Sequence, residues 1–144
     1  TIKDYAVDYN NNKVIELKSI EDSFASAANY LKKIGWKKNT PCYTKIVLKK
    51  NIPKKYLNSS ARNIKNKKNV KYFKKYIVNS NTLNVDSNLL AAIITPDKNI
   101  IPGSNTYTPA YLVYSNYEKI LSWNRSLRFA LAVCTLKDNF KNEI

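Results

Sequence analysis

The chain has 144 residues, a formal net charge of +15 and no histidine. Its length suits one domain or a compact two-lobed piece with a core of its own. The missing histidine excludes Ser-His triads, histidine acid–base work and the commonest zinc ligand.

In chain order, residues 4 to 17 set a polar turn, Asn10-Asn11-Asn12, between the apolar markers Tyr5-Ala6-Val7 and Val14-Ile15. A helix is predicted from Ser19, with Ser19 as N-cap and Asp22 in the third position. Ile20, Phe24, Ala27, Ala28, Leu31 and Ile34 recur every three or four residues and mark one apolar face. Lys32 and Lys33 occupy the last turn, and Gly35 ends the helix.

After Pro41, the aromatic and β-branched stretch 42–48 predicts a strand. Residues 49–87 are Lys- and Asn-rich, with short apolar islands that predict one or two short helices and a weak strand. Leu89 to Thr95 is a continuous apolar strand closed by the turn Pro96-Asp97-Lys98-Asn99. A further strand is predicted over 110–114, a short helix over 117–123 and a longer one over 127–140. The order of helix, strand-rich middle and helices gives an α+β class.

No apolar run approaches the roughly 20 residues that span a bilayer. The most apolar stretch, Leu127 to Leu136, is interrupted by Arg128. The basic charge invites anionic partners. The lysines are spread in pairs along a chain rich in Lys, Asn, Ile and Tyr, a profile that AT-rich codons produce without selection for binding. No helix-turn-helix, zinc or aromatic RNA-binding signature accompanies them, so specific nucleic-acid binding is not expected. Cys42 and Cys134 are compatible with one disulfide or with two small buried apolar side chains.

Three segments together resemble the lytic murein transglycosylases of the membrane-bound B type. They are Tyr5-Ala6-Val7-Asp8-Tyr9 with Leu17, the run Ala25 to Trp36, and Pro109 to Asp138 with its Trp123-Asn124-Arg125-Ser126 step. The resemblance implies part of a lysozyme-like helical core with a small antiparallel β-rich lobe inserted. Residues 1–38 and 108–144 would belong to the core and 39–107 to the lobe. It also implies cleavage of the β-1,4 bond between N-acetylmuramic acid and N-acetylglucosamine. One glutamate serves as acid and then base, and the muramyl 6-hydroxyl attacks to leave a 1,6-anhydro end. This differs from the two-carboxylate pattern of most glycosidases, because the nucleophile is already held within the substrate.

In that family the catalytic glutamate precedes the equivalent of Thr1, so the expectation is a C-terminal portion with no catalytic residue of its own. Glu16, Glu21, Glu118 and Glu143 are not expected to replace it. The apolar face around Phe24 and Leu31 is then expected to lack part of its partner. The resemblance assigns substrate binding to Asn124, Trp123 and Phe129. Aromatic faces stack on a pyranose, and an amide both donates to and accepts from N-acetyl and hydroxyl groups. Read from spacing alone, Trp123 and Phe129 are core aromatics and Asn124 caps the last helix. The family more often has tyrosine at or beside the Phe129 position.

Asp8 to Ser19 covers a family stretch that looks like an EF-hand loop. Lys13 stands where glycine is expected and Ser19 where the bidentate acid is expected. No metal and no cofactor are therefore expected. The implied partners are peptidoglycan glycan strands and a separately encoded N-terminal half, with a membrane reached only through an anchor outside these residues. The implied location is periplasmic or outer-membrane-associated. The alternatives are a non-catalytic glycan-binding remnant and a basic nucleic-acid-binding protein.

Overall fold

A computed structural model of the protein describes residues 20–97 and 108–139. These fall into two compact units, divided between Asn39 and Thr40.

The first unit holds helix α1, Ile20–Lys33. It ends as the sequence predicts. Gly35 takes φ 100°, a left-handed conformation that glycine adopts without a Cβ clash. Trp36 N–H reaches Leu31 O at 2.9 Å and Gly35 N–H reaches Lys32 O at 3.3 Å. This paired closure satisfies carbonyls that the helix would otherwise leave open. Leu31 is buried, so the apolar face is covered at that point, contrary to expectation. The predicted cap Ser19 and the turn 4–17 lie outside the described residues.

The second unit is built on a small sheet. Its strands are β1 (Tyr43–Ile46), β2 (Leu57–Asn58), β3 (Lys68–Asn69), β4 (Leu90–Ile94) and β5 (Ala110–Val113). β5 pairs antiparallel with both β1 and β4. β4 also pairs with β2 in parallel, on the edge away from β5, and with β3 antiparallel, at different points along its length. This explains why β4 is apolar throughout. A central strand covered on both faces has no solvent side for polar residues, and Ala91 to Ile94 are all buried.

One sheet face, with Ala91, Ile93, Ala110 and Leu112, packs into a core with Ile46, Val70, Phe73 and Ile77. The short helix α2, Val70–Phe73, contributes two of these side chains and is capped by Asn69, whose side chain accepts from Tyr72 N–H. Single 3-10 turns at Lys54–Tyr56, Lys74–Tyr76 and Ser80–Thr82 complete this region. The stretch 49–87 thus forms two two-residue strands and several one-turn helices, a finer division than its apolar islands suggest.

Beyond β5 run α3, Ser115–Trp123, and α4, Leu127–Asn139. α3 begins two residues before its predicted start, and Asn116 and Tyr117 there are fully buried. Tyr43 Oη meets Thr135 Oγ1 at 2.7 Å, which ties β1 to α4. Cys42 and Cys134 form a disulfide with a Cα–Cα distance of 5.9 Å, within the usual range for a disulfide. The alternative of two unlinked apolar side chains is set aside by this bond.

Candidate functional site

The three sequence-predicted residues sit where α3 ends and α4 begins. Asn124 is extended, with φ −140° and ψ 116°, and its N–H closes α3 on Ile120 O. Its carbonyl accepts from Ser126 N–H at 2.8 Å. The cap of α4 is Ser126: its Oγ accepts from Phe129 N–H at 3.1 Å, and its carbonyl accepts from Ala130 N–H at 3.0 Å. The spacing-based assignment of that cap to Asn124 is therefore corrected. A cap side chain reaches the second or third N–H of its helix, and Asn124 is too early to do so. Its amide is consequently left on an exposed turn.

Trp123 and Phe129 meet across this turn edge to face, with ring centroids 5.7 Å apart and planes at 85°. Trp123 is 47% exposed, so it is not a core aromatic; Phe129 is half-buried. The structure thus brings Trp123, Asn124 and Phe129 to one surface.

Two residues not singled out by the sequence hold the turn in place. Tyr117, fully buried, donates its hydroxyl to Leu127 O at 2.8 Å. Burial, and secondarily the neighbouring Tyr111, push its pKa well above the ordinary tyrosine value. Arg128 donates through Nε and Nη2 to Asp97 Oδ1, linking the first turn of α4 to the turn that follows β4. Neither link has a local sequence signal, since each joins separate elements. The Ser126 cap did have one, a serine directly before an apolar helical run.

Beside the turn lies an open cleft of about 230 Å³, lined by Arg125, Ser126, Leu127 and Arg128 on one side and Ser59, Ala61 and Pro96 on the other. The loop carrying Ser59 and Ala61 is pinned by buried Asn58. Its amide donates to Ile93 O at 2.9 Å and Lys65 O at 3.1 Å and accepts from Lys65 N–H at 2.8 Å.

The carboxylates nearby are engaged in ion pairs. Asp97 holds Arg128, and Glu118 holds Lys67 Nζ at 2.7 Å. Glu118 thus occupies an ion pair on the flank of α3. Among the described residues, no group of three or more His, Cys, Asp or Glu could hold a metal. The turn presents an exposed amide, Asn124, next in sequence to Trp123, whose ring meets that of Phe129.

A model of the transglycosylase SLT domain matches residues 1–138. The lytic transglycosylase SltB3 of Pseudomonas aeruginosa matches in complex with NAG-anhNAM-pentapeptide, at 28% identity and TM-score 0.71, over 96% of this chain and 35% of that one. Its complex with NAG-NAM-pentapeptide matches at 27% identity and TM-score 0.72, over 96% and 35%. Escherichia coli lytic transglycosylase Slt35, in complex with calcium, matches at 22% identity and TM-score 0.65, over 94% of this chain and 39% of that one. Curated protein sequences give no match. The chain spans little more than a third of the length of these solved relatives. Its α+β architecture is that of the lysozyme-like lytic transglycosylases, and with a family model covering nearly its whole length the chain belongs to the transglycosylase SLT domain family.

Proposed function

We propose that these 144 residues form the C-terminal part of a peptidoglycan lytic transglycosylase of the membrane-bound B type, and that they hold the glycan strand without cutting it. In this reading residues 1–38 and 108–144 are core segments and 39–107 the inserted lobe. Asn124 binds N-acetyl or hydroxyl groups, and Trp123 and Phe129 offer their rings to the pyranose. The acid–base glutamate comes from an N-terminal half, and cleavage between MurNAc and GlcNAc leaves a 1,6-anhydromuramyl end. The observation that carries the reading is the exposed turn on which Asn124 follows Trp123, whose ring meets Phe129, on a fold that aligns with SltB3 over 96% of the chain. SltB3 is known in complex with both NAG-NAM-pentapeptide and NAG-anhNAM-pentapeptide, which supports the reaction proposed.

The location proposed is the periplasm or outer membrane of a bacterial envelope. The Cys42–Cys134 disulfide supports it, because such bonds persist in oxidising compartments. Among the described residues no helix is long and apolar enough to cross a membrane. Any membrane attachment is assigned to an anchor outside these residues.

The test is digestion of purified peptidoglycan by the 144-residue chain, with 1,6-anhydromuropeptides read by mass, alongside binding to glycan strands. No product with retained binding is expected, and Asn124→Ala should weaken that binding. Anhydro product from the chain alone would place a working carboxylate within it and overturn the proposal.

A further inference from the structure

Most of the chain's charge is concentrated in one stretch. Residues 40–88 hold twelve basic residues and a single acid, Asp86, a net +11 of the total +15. The remaining residues are nearly balanced, with thirteen basic and nine acidic. Pairs of lysines that look scattered in the sequence are gathered by the fold around rings. Tyr56, Tyr72 and Tyr76 lie with centroids 5.7 to 6.5 Å apart, and the hydroxyls of Tyr56 and Tyr72 meet at 2.7 Å. Lys75 Nζ stands 4.3 Å from the Tyr72 centroid and 5.2 Å from that of Tyr76. Lys68 stands 5.3 Å from Tyr72, and Lys55 5.2 Å from Tyr56. All three lysines are exposed, and Tyr72 and Tyr76 are half-buried.

A surface that served only solubility would mix signs, because like charges held together repel. Here the Lys55, Lys68 and Lys75 ammonium groups are held beside aromatic faces, and among the described residues none of the three forms an ion pair. We propose that this lysine–tyrosine surface is a second wall-binding site, which takes the carboxylate-bearing peptide stems of peptidoglycan while the Trp123–Asn124–Phe129 turn takes sugar. The inference rests on the glycan-binding reading above and names a second chemistry on the same polymer. Eleven of the twelve cations are lysines, compact point charges that suit carboxylates presented at varied angles.

Other polyanions fit less well. A single-strand nucleic-acid platform stacks bases on open rings, whereas these rings are partly covered by lysine. Insertion into a lipid surface takes a broad apolar face. The exposed large apolar residues between 40 and 97 are Val47, Val78 and Leu90, with no aromatic among them.

The test is co-sedimentation of the full 144-residue chain with three preparations: insoluble stem-bearing peptidoglycan, the same wall with its carboxylates amidated, and stem-free glycan strands. K55Q/K68Q/K75Q should bind stem-bearing wall about tenfold more weakly at low salt. The unaltered chain should lose a similar factor on the amidated wall. Both proteins should bind stem-free strands equally, and N124A should lose that binding. If stem-free strands bind neither protein while the lysine-dependent wall binding persists, the sugar site fails and the present inference stands. Equal binding of the triple variant and the unaltered chain to stem-bearing wall would overturn the inference. So would lysine-dependent binding that appears on single-stranded DNA or phosphatidylglycerol vesicles but not on wall.

Discussion

The hydroxyl of Tyr117 on α3 donates to the main-chain carbonyl of Leu127 at the start of α4, at 2.8 Å and out of contact with water. This bond spans the turn that carries Asn124, so the position of the candidate site depends on a neutral phenol. Burial raises the pKa of Tyr117 and of Tyr114, the latter opposed in part by a hydrogen bond with Thr44. In the unfolded chain both would ionise near pH 10.

The sign follows from proton binding. Above about pH 10 the unfolded state holds fewer protons than the folded state, so stability falls as pH rises. It should be flat from pH 7 to 9, then decline by up to about 1.4 kcal/mol per pH unit for each such tyrosine. Circular-dichroism melts between pH 7 and 11.5 check this. Tyr117→Phe should lose about 1 kcal/mol at neutral pH, because a buried hydrogen bond to the Leu127 carbonyl is removed, and should show a shallower alkaline decline. An unchanged alkaline slope in that variant would refute the assignment.

Ser126 and Asn124 are two residues apart and should respond oppositely to alanine. Ser126→Ala removes the α4 cap and should cost about 1 kcal/mol of stability. Asn124→Ala removes an exposed side chain and should leave the melting temperature nearly unchanged while weakening glycan binding. A destabilised N124A with a neutral S126A would return the cap to Asn124.

The disulfide closes a long loop, with 92 residues of sequence separation between Cys42 and Cys134. Loop-closure entropy assigns such a bond about 3–5 kcal/mol. Reduction, or the C42A/C134A double variant, should lower the melting temperature by on the order of 10 °C. Identical melts with and without reductant would mean that packing of β1 against α4 suffices.

Calcium gives a test on the segment 8–19, which lies outside the described residues. Lys13 and Ser19 replace the glycine and final carboxylate of an EF-hand-like loop, whereas a Slt35 structure is described in complex with calcium. Titration calorimetry should show no saturation below millimolar calcium, and a chelator should not shift the melt. A micromolar isotherm would show that the remaining oxygen ligands are enough.

The sequence by itself determined what depends on neighbours along the chain. The Gly35 stop of α1, the continuous apolar strand at 90–94 and the long helix from 127 are all legible because capping and periodicity act within a few residues. So is the nearness of Trp123, Asn124 and Phe129 along the chain, within the family-like segment Pro109 to Asp138. The tertiary structure decided what depends on distant partners. β2 and β3 are two residues each and exist because an edge of β4 accepts them; segments this short carry no periodicity of their own. Where the Ser126-capped start of α4 sits is decided by its links to Tyr117 and Asp97. The lysines of 55–75 become one surface only when Tyr56, Tyr72 and Tyr76 are folded against each other. Charge along a chain is readable from its letters, but its grouping in space is set by packing between elements far apart in sequence.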